Sequence, residues 1–566
     1  MARRTPGFAV GAVLLVVAAT LPVLAPGAGA AGGYVPISGS GSTWSLNALD
    51  QWRRNVAGLY GISINFSPNG STNGRSDFRN GQVDYAVSEI PYGLTDGGVL
   101  DQPPGRAFGY MPVVAGGTSF MYNLKIGTKR VTNLRLSGST IARIFTQQIT
   151  TWSDPAVAAD NPGLVLPQRP IVPVVYSNGS GTTAQLTTWM ASQYPAIWDD
   201  YCHRNGRNLT PCGFTSFYPL GPGMEAKAQS QGVSGFVAQD SSEGAITYVE
   251  YSYARNAGFP VAKVLNKANY YVEPTAGSVA VALLKAQIHH DLTQDLSQVY
   301  VDTDPRTYPL SSYSYMIIPK DTSSASRFNT EKGRTLSEFA AYFLCEGQQQ
   351  ADILGYSPLP INLVQAGVDQ INQIPGSTTR LDRNNLARCN NPTVSPDGGN
   401  KVAKDAPQPS ECDRLGASQQ CATPTGGAKT STPTKGVTDS GGNNSGGNNS
   451  GGTNGGNNSG GTNGGSTAGG TNTDGTDSGG TDTTTAAIDP ATGAPLIDPD
   501  TGQVIGGTAL TNGSGTSSVS AVPVSVDAAD NRRQMLLAIL TIVVLLGLAL
   551  GPPLLAYRVR SREGSG

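Results

Sequence analysis

Histidine is almost missing from this chain: His203, His289 and His290 are the only three in 566 residues, and none lies near the serine-rich loops described below. A nucleophile activated by a histidine base therefore has little to draw on. Asn178-Gly179-Ser180-Gly181-Thr182 resembles part of a nucleophile elbow, yet Asn178 and Thr182 stand where Gly-x-Ser-x-Gly requires glycines. No lysine motif that cradles nucleotide phosphates and no Cys-x-x-Cys pair occurs, and the adjacent His289 and His290 have no partner at ligand spacing. These absences argue against an enzyme and against a metal or other cofactor. Charge is also scarce, 14% of residues against a usual share of about 25%. With 38 Lys+Arg against 40 Asp+Glu the net charge is -2, which offers no footprint for a nucleic acid.

Glycine, by contrast, is in excess at 72 residues. A packed core cannot absorb that excess, because glycine supplies no side chain to bury, so part of the chain should be a flexible linker. The composition from Ala422 onward is Gly, Asn, Ser, Thr and Asp, with near-repeats at Gly441–Ser445 and Gly446–Ser450. Residues 422–531 read as that linker, within which Ile488–Gly493 and Ile497–Gly502 form a small turn repeat.

The two ends suggest a compartment. Arg3 and Arg4, an apolar run from Phe8 to Leu24 and small residues from Gly27 to Ala31 have the three-part pattern of a signal peptide over residues 1–31. No cysteine near that site is available for lipidation. The uncharged run Met535–Tyr557 is about 34 Å long as a helix, enough to cross a hydrocarbon core of about 30 Å. A single transmembrane helix is expected there, with the folded part outside the membrane and the basic tail, residues 558–566, in the cytoplasm.

Six cysteines in an exported chain favour disulfides. Cys202 with Cys212 and Cys412 with Cys421 make plausible local loops, leaving Cys345 to reach Cys389; about 15 pairings are formally open. What remains to fold is residues 32–392, followed by a cysteine-containing extension over residues 393–421. Strand-like runs at Ile62–Phe66, Gln82–Ser88, Ile171–Val175 and Ala245–Val249 are interleaved with helical stretches at Trp44–Gly58, Ser139–Phe145, Ala184–Gln193 and Leu336–Leu344. The alternation implies an α/β fold with an open, mostly parallel sheet, whose ligands sit at the carboxyl ends of strands beside helix N-termini.

Three segments share one design, with small glycine and hydroxyl residues immediately before a helix. They are Gly39-Ser40-Gly41-Ser42-Thr43-Trp44, Asn69-Gly70-Ser71-Thr72-Asn73-Gly74 and Asn178-Gly179-Ser180-Gly181-Thr182-Thr183. Glycine lets the backbone approach a ligand, hydroxyls donate, and the free N–H groups of a helix start carry partial positive charge. Each alone is an ordinary capped helix start. Together they suggest an oxyanion site made from neutral dipoles.

With these loops stand Val83-Asp84-Tyr85-Ala86-Val87-Ser88-Glu89-Ile90-Pro91, Ile149-Thr150-Thr151-Trp152-Ser153-Asp154-Pro155, Gly244-Ala245-Ile246-Thr247-Tyr248-Val249-Glu250-Tyr251 and Tyr356-Ser357-Pro358-Leu359-Pro360. In order and spacing, from about Ile37 to Gly367, the chain resembles the phosphate-binding proteins of the periplasmic-binding-protein superfamily, which serve phosphate ABC importers. The resemblance implies two lobes joined by a hinge, one over residues 34–113 and 266–375 and the other over 114–265, with a dehydrated anion clamped between them. It implies Thr43, Trp44, Ser71, Ser180, Gly181 and Thr182 as phosphate donors, and permease and ATPase subunits as partners.

The charged positions depart from the family. Glu89 stands where the family has an Asp that accepts the proton of phosphate and so rejects sulfate. Tyr176 and Asn178 stand where the family has a paired Arg and Asp, so both charges are gone together. Arg75 is a candidate to replace the missing cation. Three readings follow: a membrane-tethered receptor for inorganic phosphate, the same fold for a different oxyanion or phosphoester, and a surface interaction protein with no small ligand.

Overall fold

The computed structural model describes residues 33–430, apart from residues 323–326, 380, 387–388 and 396–398. The expected signal peptide, the linker beyond residue 430, the turn repeat and the transmembrane run all lie outside the described residues. Among the described residues, no helix is long and apolar enough to cross a membrane.

The framework is one mixed sheet in two halves. In the first half, strand Ile37–Gly41 pairs in parallel with Ile64–Ser67 on one side and Tyr85–Ser88 on the other. In the second, Val172–Tyr176 pairs in parallel with Glu225–Lys227 and with Ala245–Glu250. The long strand Phe108–Tyr122 joins the halves: its first part runs antiparallel to Ser311–Pro319, and its last residues run antiparallel to Ala245–Glu250 and Val261–Leu265. Ser311–Pro319 in turn pairs antiparallel with Tyr85–Ser88.

The sheet is thus parallel in its outer parts and antiparallel at its centre, not mostly parallel as expected. A strand that serves both lobes leaves one half and enters the other, so its direction cannot match the parallel strands of both. The central strands are buried along nearly their whole length, serines included, hence they show no alternation that would reveal their partners.

Helices cover the sheet with the expected periodicity. Leu46–Tyr60 buries Leu46, Leu49, Trp52 and Val56 along one stripe and ends at Gly61, whose φ of 64° allows the left-handed cap that collects the last carbonyls. Trp52 lies parallel to Phe343 of helix Thr330–Leu344 at 5.8 Å and donates its indole N–H to the Gly347 carbonyl at 2.8 Å. Gly138–Phe145 starts at Ser137, whose hydroxyl accepts from the Thr140 N–H.

The three disulfides are Cys202–Cys212, Cys345–Cys389 and Cys412–Cys421. The extension that follows is bound to the body. Ala403 and Ala406 pack on Ala280 and Val281, and Asp413 pairs with Arg135 at 3.2 Å and Lys263 at 2.5 Å. Order continues past residue 422, where a flexible linker was expected to begin. The Thr425 N–H donates to the Thr132 carbonyl at 2.9 Å, its hydroxyl accepts from the Val261 N–H at 3.1 Å, and the Gly427 N–H donates to the Phe259 carbonyl at 2.9 Å. Backbone bonding of this kind needs no apolar side chain, so composition does not reveal it.

Candidate functional site

Four strands end at the same place. Ile37–Gly41, Tyr85–Ser88, Val172–Tyr176 and Ala245–Glu250 deliver Ser42, Glu89, Asn178 and Glu250 at or just past their carboxyl ends. Opposite them begin the helices Ser71–Arg79, Gly181–Gln193 and Gln229–Val237. The site is therefore where parallel strands and helix N-termini meet.

Glu89 is its centre in the first half. Ser42 Oγ donates to Glu89 Oε2 at 2.6 Å, Ser71 Oγ donates to the same oxygen at 2.9 Å, and Ser314 Oγ donates to Oε1 at 2.8 Å. These donors are neutral. Burial raises the Glu89 pKa above the ordinary 4.5, and the three serine hydroxyls only partly offset that.

The halves meet directly over this carboxyl group. Gly181 donates its N–H to Ser71 Oγ at 3.0 Å, and Gln185 Nε2 donates to the Glu89 carbonyl at 3.0 Å. A Cβ at position 181 would collide with Glu89 Oε2 and Ser71 Oγ, so glycine is required for the loops to approach this closely. Gly74 plays the same part inside the first half, where a Cβ would strike Gly41.

Glu250 centres a second group. Thr182 Oγ1 donates to Glu250 Oε1 at 2.6 Å. Beside it Ser230 Oγ lies 2.7 Å from Thr43 Oγ1 and 3.0 Å from the Tyr176 hydroxyl, and the Ser230 N–H donates to Thr43 Oγ1 at 3.1 Å. Burial lifts the Glu250 pKa to about 7; the Thr182 and Ser230 hydroxyls lower it, and the Glu89 charge raises it further.

The expected site residues divide accordingly. Thr43, Ser71, Glu89, Gly181, Thr182 and Tyr176 belong to the two hydrogen-bonded groups. Trp44 contributes its N–H, which donates to Ser42 Oγ at 3.0 Å, while its ring packs against Tyr356 at 5.7 Å. The Ser180 hydroxyl accepts from the Thr183 N–H as the cap of the third-loop helix. Asn178 braces the loop, its Oδ1 accepting from the Gln229 N–H at 2.8 Å.

Arg75 is engaged elsewhere. Its Nε pairs with Asp101 at 2.5 Å and its Nη1 donates to Ser88 Oγ at 3.0 Å, so it does not join the serine hydroxyls that bond the Glu89 carboxyl group. Sequence reasoning gave no role to Ser42, Ser230, Glu250 or Ser314. Ser230 had a signal, since Gln229-Ser230-Gln231-Gly232 has the same hydroxyl-and-glycine design at a helix start. Ser314 had none, because it lies inside an unbroken buried strand.

A tie outside the loops also joins the halves. Asp96, on the short hairpin formed by Thr95–Asp96 and Val99–Leu100, accepts from the Ser216 N–H at 2.8 Å and from Ser216 Oγ at 2.6 Å, and pairs with Arg207 at 3.4 Å.

Over residues 25–346 the chain matches the family model of the PBP superfamily domain. The phosphate-binding protein PstS of Xylella fastidiosa (strain Temecula1) is 31% identical over 335 residues, which are 58% of this chain and 83% of the relative. PstS 3 of Mycobacterium leprae is 29% identical over 337 residues, 58% of this chain and 84% of the relative. A solved high-affinity periplasmic phosphate-binding protein bound with phosphate aligns over 62% of this chain and 100% of its own, at 18% identity and a TM-score of 0.44. With a family model matched over more than half of its length, and a phosphate-binding relative covered over most of its own, this chain belongs to the periplasmic-binding-protein superfamily and, within it, to the family of phosphate-binding proteins.

Proposed function

We propose that the protein captures inorganic phosphate between its lobes and passes it to the permease and ATPase subunits of an ABC importer. The observation that carries this reading is the junction at Glu89, where a carboxyl group, three serine hydroxyls and the Gly181 N–H from the opposite half converge. A tetrahedral oxyanion placed among them meets donors from both lobes, so its binding is what closes the hinge. Thr43, Trp44, Ser71, Ser180, Gly181 and Thr182 act as the donors and Glu89 as an acceptor for a phosphate hydroxyl. No catalysis is involved.

The enclosure favours a small ligand over a phosphoester. Ser71 is 0% exposed, and Glu89 and Thr182 are each 1% exposed, so an ester substituent would have to hold the lobes apart where they otherwise meet. In this reading the lobes are residues 34–113 with 266–375 and residues 114–265. The signal peptide at 1–31 exports the chain, and the helix at 535–557 holds it to the membrane through the glycine-rich linker. A tether of that length raises the local concentration of the receptor at an importer in the same membrane.

Titration calorimetry of the phosphate-free full-length protein, purified in detergent, tests the reading. Phosphate is expected to bind at micromolar or lower concentration with no heat from sulfate. A folded protein that gives no heat with phosphate refutes the reading, and a response to another oxyanion alone would replace phosphate by that ligand.

A further inference from the structure

The Glu250 carboxyl group is 1% exposed, and only one of its oxygens is accounted for: Oε1 accepts from Thr182, while Oε2 is buried with no hydrogen-bond partner. An unpartnered buried carboxyl oxygen is costly, and proteins rarely leave one without a use. Its position is informative. Thr182 is a proposed phosphate donor, and Ser230, which also lowers the Glu250 pKa, shares its hydroxyl contact with Thr43, another proposed donor. Glu250 is linked to Glu89 through two adjacent residues: Thr182 donates to Glu250, and the neighbouring Gly181 N–H donates to Ser71 Oγ, which donates to Glu89.

We propose that Glu250 is a ligand-facing residue of the cleft, a second carboxyl group that shares protons with bound phosphate alongside Glu89. The inference rests on the phosphate reading given above and deepens it. Two acidic groups face one anion here, and the side chains bonded to them are hydroxyls rather than cations. Two ionised carboxylates and a phosphate dianion cannot share such a space, because like charges at this range repel strongly at low dielectric. Protons must therefore accompany the ligand. Either a phosphate hydroxyl donates to an ionised glutamate, or a neutral glutamate O–H donates to a phosphate oxygen; both assignments give the same total of protons. The bound proton takes over the charge balance that a guanidinium would otherwise supply.

The surroundings are consistent with titration by the two glutamates. Around Glu250 the other ionisable groups are Glu89 and the hydroxyls of Tyr176, Tyr253 and Tyr356; burial pushes all three tyrosines well above their ordinary range, so they stay neutral. Glu89 also borders a cavity lined by His289, Asp295 and Tyr315 together with Gln185 and Thr188 of the opposite half, and Arg75 reaches the adjacent Ser88. The Glu250 pKa of about 7 puts the linked protonation in the range where a pH series is practical.

The experiment is calorimetric titration of full-length wild type and E250Q with inorganic phosphate from pH 6 to pH 8.5, in pairs of buffers that differ in ionisation heat. Each wild-type binding event is expected to take up more protons than the E250Q event, and wild-type affinity to fall by about tenfold more than E250Q affinity across the range. Parallel pH profiles with equal proton uptake overturn the role of Glu250 and leave the phosphate reading standing. No phosphate binding by wild type at any pH overturns the phosphate reading and this inference with it. If E250Q fails to fold, E250D replaces it: the carboxyl group withdraws by one methylene, and an affinity about tenfold weaker is expected. An E250D affinity equal to wild type overturns the inference.

Discussion

Replacing Glu250 by glutamine should change how stability depends on pH, even with no ligand present. The Glu250 pKa is raised from 4.5 to about 7 in the folded protein. An acid whose folded pKa lies above its unfolded value adds stability that is fully present below the unfolded pKa. That stability is lost as pH rises through the folded pKa, so the window here runs from about pH 4.5 to somewhat above pH 7. Between pH 5 and pH 8 the shift corresponds to roughly 2–3 kcal/mol. For a folded part on the order of 400 residues, that is about 3 °C in Tm. Glutamine keeps the shape but cannot titrate, so the fall in stability of E250Q between pH 5 and pH 8 should be smaller than that of wild type by this amount. Glu89 and Glu273 are also raised by burial and add a fall of the same sign in both proteins, which the difference removes. Chemical denaturation of phosphate-free protein at the two pH values measures it. Superimposable pH profiles for E250Q and wild type would refute the argument.

Other perturbations test the packing and the lobe contacts. G181A places a methyl group against Glu89 and Ser71, so phosphate affinity measured by calorimetry should fall roughly tenfold or more while the melting temperature changes little. D96A removes the tie to Ser216 and Arg207; small-angle scattering should show a larger mean dimension in the ligand-free protein, and phosphate affinity should drop by less than about tenfold. W52A empties a fully buried site beneath Phe343 and leaves the Gly347 carbonyl without its donor, with an expected loss of about 3–5 kcal/mol by urea denaturation. Cys345–Cys389 closes a loop with a sequence separation of 44, and replacing both cysteines by serine should cost about 4 kcal/mol in the same assay.

The three glycine-and-hydroxyl loops were legible as helix starts because their design is local. Glycine and hydroxyl residues before a helix have a physical reason that depends on neighbours in the chain, and all three segments stand at helix starts in the folded protein. The cysteine pairing was legible for a similar reason, since two of the loops are short and the third pair was what remained. The position of Glu89 at the end of its strand was carried by the family resemblance, and the structure gives it hydroxyl partners that no local pattern announces. Ser314 lies 225 residues from Glu89, and Ser230 lies 187 residues from Thr43. Arg75 illustrates the converse: charge and position made it a candidate for the cleft, yet the carboxylate of Asp101, 26 residues away, holds it.

Sequence alone thus determined the α/β class and the placing of three glycine-and-hydroxyl segments at helix starts, because composition, periodicity and capping act over a few residues. Tertiary structure decided the antiparallel centre of the sheet, the burial of Glu89 and Glu250 at strand ends of the two halves, and the lack of a hydrogen-bond partner for Glu250 Oε2. Those outcomes depend on distances between residues far apart in the chain. Burial, which raises the pKa of Glu89 and of Glu250, exists only once the halves have met.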